Sequence, residues 1–144
     1  MSREMKEEAR REWRELGFYF TYEEAARRWL FMGSRSGLAK LCRILTNYSA
    51  DPKHEQISEH EHLGPYQDLK LVTWHAPEIR EDGLYGRPSD FVRLAGALVE
   101  ASRSGAGTRL LGSVFLQGKK AGSEIEVRVA TDDFDPAAED ANIN

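Results

Sequence analysis

Only one cysteine, Cys42, stands in the 144 residues. No internal disulfide can form, and no zinc centre built on several cysteines is available. Long apolar runs are missing too; nothing approaches the roughly 20 residues that cross a bilayer. The opening "MSREMKEEARREW" is charged throughout and lacks the apolar segment of a secretion signal. The expectation is a cytoplasmic protein with no membrane contact. Nor is there a basic stripe. The net charge is -4, and its excess acid sits at one end. From Glu124 onward, Glu124, Glu126, Asp132, Asp133, Asp135, Glu139 and Asp140 face Arg128 alone. Taking these from the chain's 24 acidic and 20 basic residues leaves 17 and 19 in the body, which is near neutral. That balance argues against a nucleic-acid binder, which would show clustered Lys and Arg. A phosphate loop is absent as well: "GSRSG" lacks the Gly-Lys-Ser/Thr ending.

What remains is a chain with 40% hydrophobic and 31% charged residues, enough to build one core without metal or disulfide. Met5, Ala9, Trp13 and Leu16 recur at helical spacing and predict a helix over 3–15. Leu16, Phe18, Phe20 and Tyr22 alternate, as do Trp29 and Phe31, which predicts a β-hairpin around "EEAARR". "GSRSGLAKLCRILTNYSADP" reads as a helix capped by Ser34 or Ser36. Leu38, Leu41, Cys42, Leu45 and Tyr48 form its apolar face. On that face Cys42 reads as a packed thiol rather than a nucleophile.

Residues 55–62 and 68–75 pair as strands across "LGPYQ", with Leu69, Leu71 and Thr73 on the face toward the core. "APEIREDGLYGRPSD" reads as a loop. A further helix follows, burying Phe91, Leu94, Ala95, Leu98 and Val99. "TRLLGSVFLQGKKAGSEIEVRVA" reads as a last hairpin. The predicted fold is α+β: a single two-layer domain over 1–131, with antiparallel β-hairpins and helices packed on one face. Residues 132–144 carry five acids and no apolar periodicity, and are expected to form a disordered tail.

The stretch "SEHEHLGPY" holds the densest chemistry. On a strand, His60 and His62 share one face while Glu59 and Glu61 share the other. A His-x-His pair can start a metal site, with His54, His75, Asp68 and Glu78 available as a third ligand. A metal-dependent enzyme using His60 and His62 is therefore one reading. The other is a polar strand that faces water or a partner protein, with Tyr66 beside rigid Pro65 as an interface anchor. No nucleophile elbow or Cys/His framework accompanies these residues, so the expectation is a non-enzyme without cofactor.

The arrangement "REWRELGFYFTYEEAARRWLFMGSRSGLAKLCRILTNYSADP", then "SEHEHLGPYQDLKLVTW", then "GLYGRPSDFVRLAGALVE" resembles a bacterial family of small immunity proteins, the immunity protein 32 family. The features that carry the likeness are "GFYF", the Trp-Leu-x-x-Gly-Ser-x-x-Gly-Leu entry to a helix, and "SEHEH-x-GPY-x-x-LK", over residues 12–101. Such proteins sit beside toxin genes and neutralise the toxin by binding it. The resemblance implies a cognate toxin as partner and brings no catalytic residues. It favours partner recognition by Glu59, His60, Glu61, His62 and Tyr66. Residues from Ser104 onward lie outside it.

Overall fold

In the computed structural model, which describes residues 1–120 and 122–144, helix α1 runs over Arg3–Leu16. The Ser2 hydroxyl starts it by accepting from the Met5 N–H, and Gly17, left-handed at φ 90°, ends it. Ala9 and Trp13 are buried, but Met5, on the same stripe, is 60% exposed. Strands β1 (Phe18–Glu23) and β2 (Arg28–Gly33) form the expected antiparallel hairpin. Helix α2 (Arg35–Ala50) is capped by Ser34, whose hydroxyl accepts from the Gly37 N–H. Leu38, Leu41, Leu45 and Tyr48 are its buried face. The Cys42 thiol donates to the Ala95 carbonyl, and burial pushes its pKa up, as befits a packed thiol.

After a short 3-10 turn (Pro52–Glu55) come β3 (His60–Leu63) and β4 (Leu69–Thr73), paired antiparallel. Leu69, Leu71 and Thr73 are at most 1% exposed, while on the other face Lys70 and Trp74 are only partly covered and Val72 is 7% exposed, so the register is as expected. The next segment corrects the sequence reading. Instead of a loop, "APEIREDGLYGRPSD" holds a third hairpin, β5 (Glu78–Arg80) and β6 (Gly83–Gly86). Strands of three and four residues are too short to show alternation. Helix α3 (Pro88–Arg103) follows. The closing strands β7 (Gly107–Leu110) and β8 (Glu124–Val129) do pair antiparallel. Between them "GSVF" forms a helical turn, α4 (Gly112–Phe115), rather than strand.

The fold is α+β with helices packed on sheets, as expected. The strand order was not legible in the sequence. The described residues form two four-stranded sheets, β1-β2-β8-β7 and β3-β4-β6-β5. Both repeat one plan: two antiparallel pairs joined through a central parallel pair, β2 with β8 and β4 with β6. The sheets are therefore mixed, not purely antiparallel. Leu41 and Leu45 of α2, Leu94 and Leu98 of α3, Phe31 and Val127 of the first sheet, and Leu69, Leu71 and Leu84 of the second line one small apolar gap. The core sits where both sheets meet both helices. The Trp29 indole adds a polar tie by donating to the Arg80 carbonyl at 2.7 Å.

The tail expectation is also corrected. Residues 132–144 are packed, not loose. Asp135 caps a 3-10 turn over Pro136–Glu139 by accepting from the Ala137 N–H. Pro136, Ala137, Asp140 and Ile143 are buried. One of the acids that argued for disorder is met by α1: Arg14 pairs with Asp135 at 3.0 Å; Arg10 adds a bond to the Ile143 carbonyl at 3.0 Å. Composition counts charges along the chain and cannot see that a neutralising partner lies at the other terminus.

Candidate functional site

The EHEH strand lies at a sheet edge. Among the described residues β3 pairs with β4 on one side and has no strand on the other. It is bracketed by two non-glycine residues in left-handed backbone, Ser58 (φ 74°) and Gln67 (φ 55°). Each histidine holds one bracket. His60 Nδ1 donates to the Ser58 carbonyl at 3.1 Å, and His62 Nδ1 donates to the Gln67 carbonyl at 3.0 Å. Carbonyl oxygens only accept, so both Nδ1 atoms carry the proton. The two rings are exposed and stand 5.2 Å apart, edge to face. The turn that follows needs a glycine: Gly64 has φ 89°, and a Cβ there would meet Phe20 Cζ at 2.4 Å.

His60 and His62 are brought together as predicted, but no third ligand joins them. Asp68, His75 and Glu78 complete no metal-binding group with them among the described residues. The fourth candidate, His54, stands elsewhere, and it takes Glu61 with it. His54 is 0% exposed and stacks on the Tyr48 ring at 3.8 Å and 9°. Its Nδ1 donates to the Tyr48 carbonyl at 2.7 Å. Its Nε2 lies 3.2 Å from Glu61 Oε1. Asp51, at the start of the 3-10 turn, completes a group whose ligand atoms lie within 4.8 Å of one another.

The His54 pocket is held from several sides. Thr73 donates its hydroxyl to the His54 carbonyl at 2.5 Å. The Tyr48 hydroxyl lies 2.9 Å from the Glu59 carbonyl and 2.8 Å from the Thr73 hydroxyl. Burial pushes the Tyr48 phenol up, so it stays a neutral donor. The Glu59 carbonyl also accepts from the Thr73 N–H at 2.9 Å. The backbone of Glu59 is thus a strut, while its side chain points into solvent.

Tyr66 is 39% exposed, and its position differs from that of a simple anchor. Its hydroxyl donates to Asp140 Oδ2 at 2.5 Å, the same oxygen that accepts the Trp13 indole N–H at 2.8 Å. Burial and the bond to Asp140 raise its pKa to about 12. The outer part of Tyr66 lines a shallow groove with Pro65, Met1 and Met5, edged by Glu4, Glu8 and Glu12 of α1. Met1 and Met5 are 53% and 60% exposed.

Sequence reasoning named His54 only as a spare ligand and passed over Asp51. The signal was present in "DPKH": an Asp-Pro step opens a 3-10 turn, and the His54 N–H closes it on the Asp51 carbonyl at 3.0 Å, which brings the two residues together. The Met1–Met5–Tyr66 groove carried no such signal, because α1 and the 64–67 turn meet only in the fold. No helix is long and apolar enough to cross a membrane among the described residues. No family model, no curated protein and no solved structure matches the chain.

Proposed function

We propose that this chain is a binding protein, not an enzyme, that neutralises a partner protein by covering it, in the manner of the toxin-immunity family its sequence resembles. The observation that carries this reading is the unpaired edge of β3, which offers His60, His62 and the Glu59 side chain to solvent on a braced backbone. A braced edge loses little conformational freedom on binding, which favours affinity. A strand edge can also take a partner strand through main-chain hydrogen bonds.

The edge alone is too small. A stable complex buries on the order of 800 Å² per partner. That is roughly a tenth of this chain's 7750 Å² surface. The adjoining groove of Met1, Met5 and Tyr66 supplies apolar and aromatic area, and Glu4 and Glu12 give it an acidic rim, Glu8 being paired with Arg11. That chemistry suits a partner with a basic contact surface, which the acidic rim steers and orients.

The test is co-expression with the toxic open reading frame encoded beside this gene. Survival that depends on this chain, with a one-to-one complex on size-exclusion chromatography, is the expected result. A neighbouring product that does not impair growth, or one that stays fully toxic when this chain is present, would overturn the reading.

A further inference from the structure

We propose that Asp51, His54 and Glu61 form a binding site for one divalent ion of the zinc class. The site is independent of the partner-binding reading and lies on the other face of β3 from His60 and His62. Its central observation is an orphaned nitrogen. His54 is fully buried, and its Nε2 has no hydrogen-bond partner, although Glu61 Oε1 stands only 3.2 Å away. The carboxylate oxygen therefore lies off the line along which an Nε2–H would donate. With the ring proton held on Nδ1, the Nε2 lone pair is a buried acceptor left unsatisfied, which is costly.

An ion resolves this geometry. Around a tetrahedral zinc with bonds of about 2.0–2.1 Å, neighbouring ligand atoms stand about 3.3 Å apart and do not lie on one another's bond axes. The His54–Glu61 separation of 3.2 Å, off axis, has that form. The tautomer is right as well. Nδ1 carries its proton to the Tyr48 carbonyl at 2.7 Å, which leaves the lone pair on Nε2. A ligating histidine fixed through its other nitrogen by a backbone carbonyl is the usual outer arrangement of such sites. The ring is clamped further by stacking on Tyr48. Asp51 accepts from the Lys53 N–H through Oδ1, so its carboxylate is already oriented by the turn.

One imidazole and two carboxylates make a mixed N/O set that suits zinc, and the imidazole disfavours magnesium and calcium. Three protein ligands leave a fourth position. The Glu61 side chain is 43% exposed, so that position opens to solvent beside it. The ion would tie the end of α2, the 3-10 turn and the edge strand at one point.

The experiment is calorimetric titration of untagged, chelator-treated protein with zinc chloride, repeated with cobalt chloride under visible spectroscopy. One ion per chain is expected, with the strong visible bands of four- or five-coordinate cobalt. Glu61→Gln and Asp51→Asn keep size and capping and should each weaken binding at least tenfold. His60→Ala/His62→Ala should bind as the parent does. Absence of stoichiometric zinc would overturn the site. So would unchanged affinity in Glu61→Gln and Asp51→Asn, loss of binding in the His60/His62 variant, or displacement of zinc by a tenfold excess of calcium.

Discussion

The Trp13 indole donates its N–H to the Asp140 carboxylate at 2.8 Å, joining the first helix to a residue 127 positions away. Tyr66 donates to the same oxygen, so one carboxylate gathers α1, the turn after β3 and the C-terminal segment. Asp140 is 3% exposed, and removing it strands two donors, one of them wholly buried. Asp140→Ala should therefore cost about 2–3 kcal/mol and lower the melting temperature by roughly 5–10 °C. Deleting residues 132–144 also uncovers the face where Pro136, Ala137 and Ile143 pack, and should cost more. Thermal melts followed by circular dichroism read both. A truncated protein that melts with the parent would show that the segment does not hold in solution.

Tyr66 gives this junction an alkaline signature. Its phenol is raised from 10.0 to about 12 by burial and the bond to Asp140. A folded pKa above the unfolded one contributes stability that is fully present below about pH 10 and is lost as pH rises toward 12. The parent should therefore lose this contribution between those values, while Tyr66→Phe lacks that part of the slope. Ultraviolet titration of the phenolate should show one tyrosine fewer ionising late in the variant. Equal alkaline slopes would remove Tyr66 from the linkage.

The local elements were legible because their signals are local. The Ser34 cap, the apolar faces of α2 and α3 and the alternation of Phe18 and Phe20 each need only a few neighbouring residues. The parallel pairs β2–β8 and β4–β6 were not legible, because pairing partners up to about a hundred positions apart leave no mark on periodicity. The candidate site divides the same way. Alternation put His60 and His62 on one face, and they are there. The same alternation sent Glu61 to the opposite face without revealing that His54 waits beneath it.

Two helical glycines should behave oppositely. At Gly37, in the first turn of α2, a Cβ would stand 2.1 Å from the Gly17 carbonyl oxygen, and backbone cannot move aside cheaply. Gly37→Ala should destabilise by roughly 2 kcal/mol or more, within the range of overpacking. At Gly96, inside α3, a Cβ would meet nothing within 4 Å. There alanine only gains helix propensity, and Gly96→Ala should stabilise by about 0.5–1 kcal/mol. Urea melts of both variants give the two signs directly. A stable Gly37→Ala would mean that α2 does not approach the Gly17 turn this closely.

The last prediction separates the two faces of the EHEH strand. His60, His62 and the Glu59 side chain are exposed, and the backbone beneath them is held by Thr73 and Tyr48, not by those side chains. Alanine at all three removes two exposed hydrogen bonds, to Ser58 and Gln67, and should cost only about 1–2 kcal/mol of stability. If the edge is the contact surface, the same triple variant should lose protection against the neighbouring toxin, with a Kd at least tenfold weaker. Glu61 faces His54 instead, so Glu61→Gln should keep affinity for the partner within about twofold even though it removes an ion ligand. Affinity should also fall as salt rises, since the acidic rim is screened. Binding measured by calorimetry at two salt concentrations, beside a melt of each variant, tests all four statements. A triple variant that binds as the parent does would take the edge out of the interface. A Glu61→Gln variant that loses the partner would place Glu61, and the face it occupies, within it.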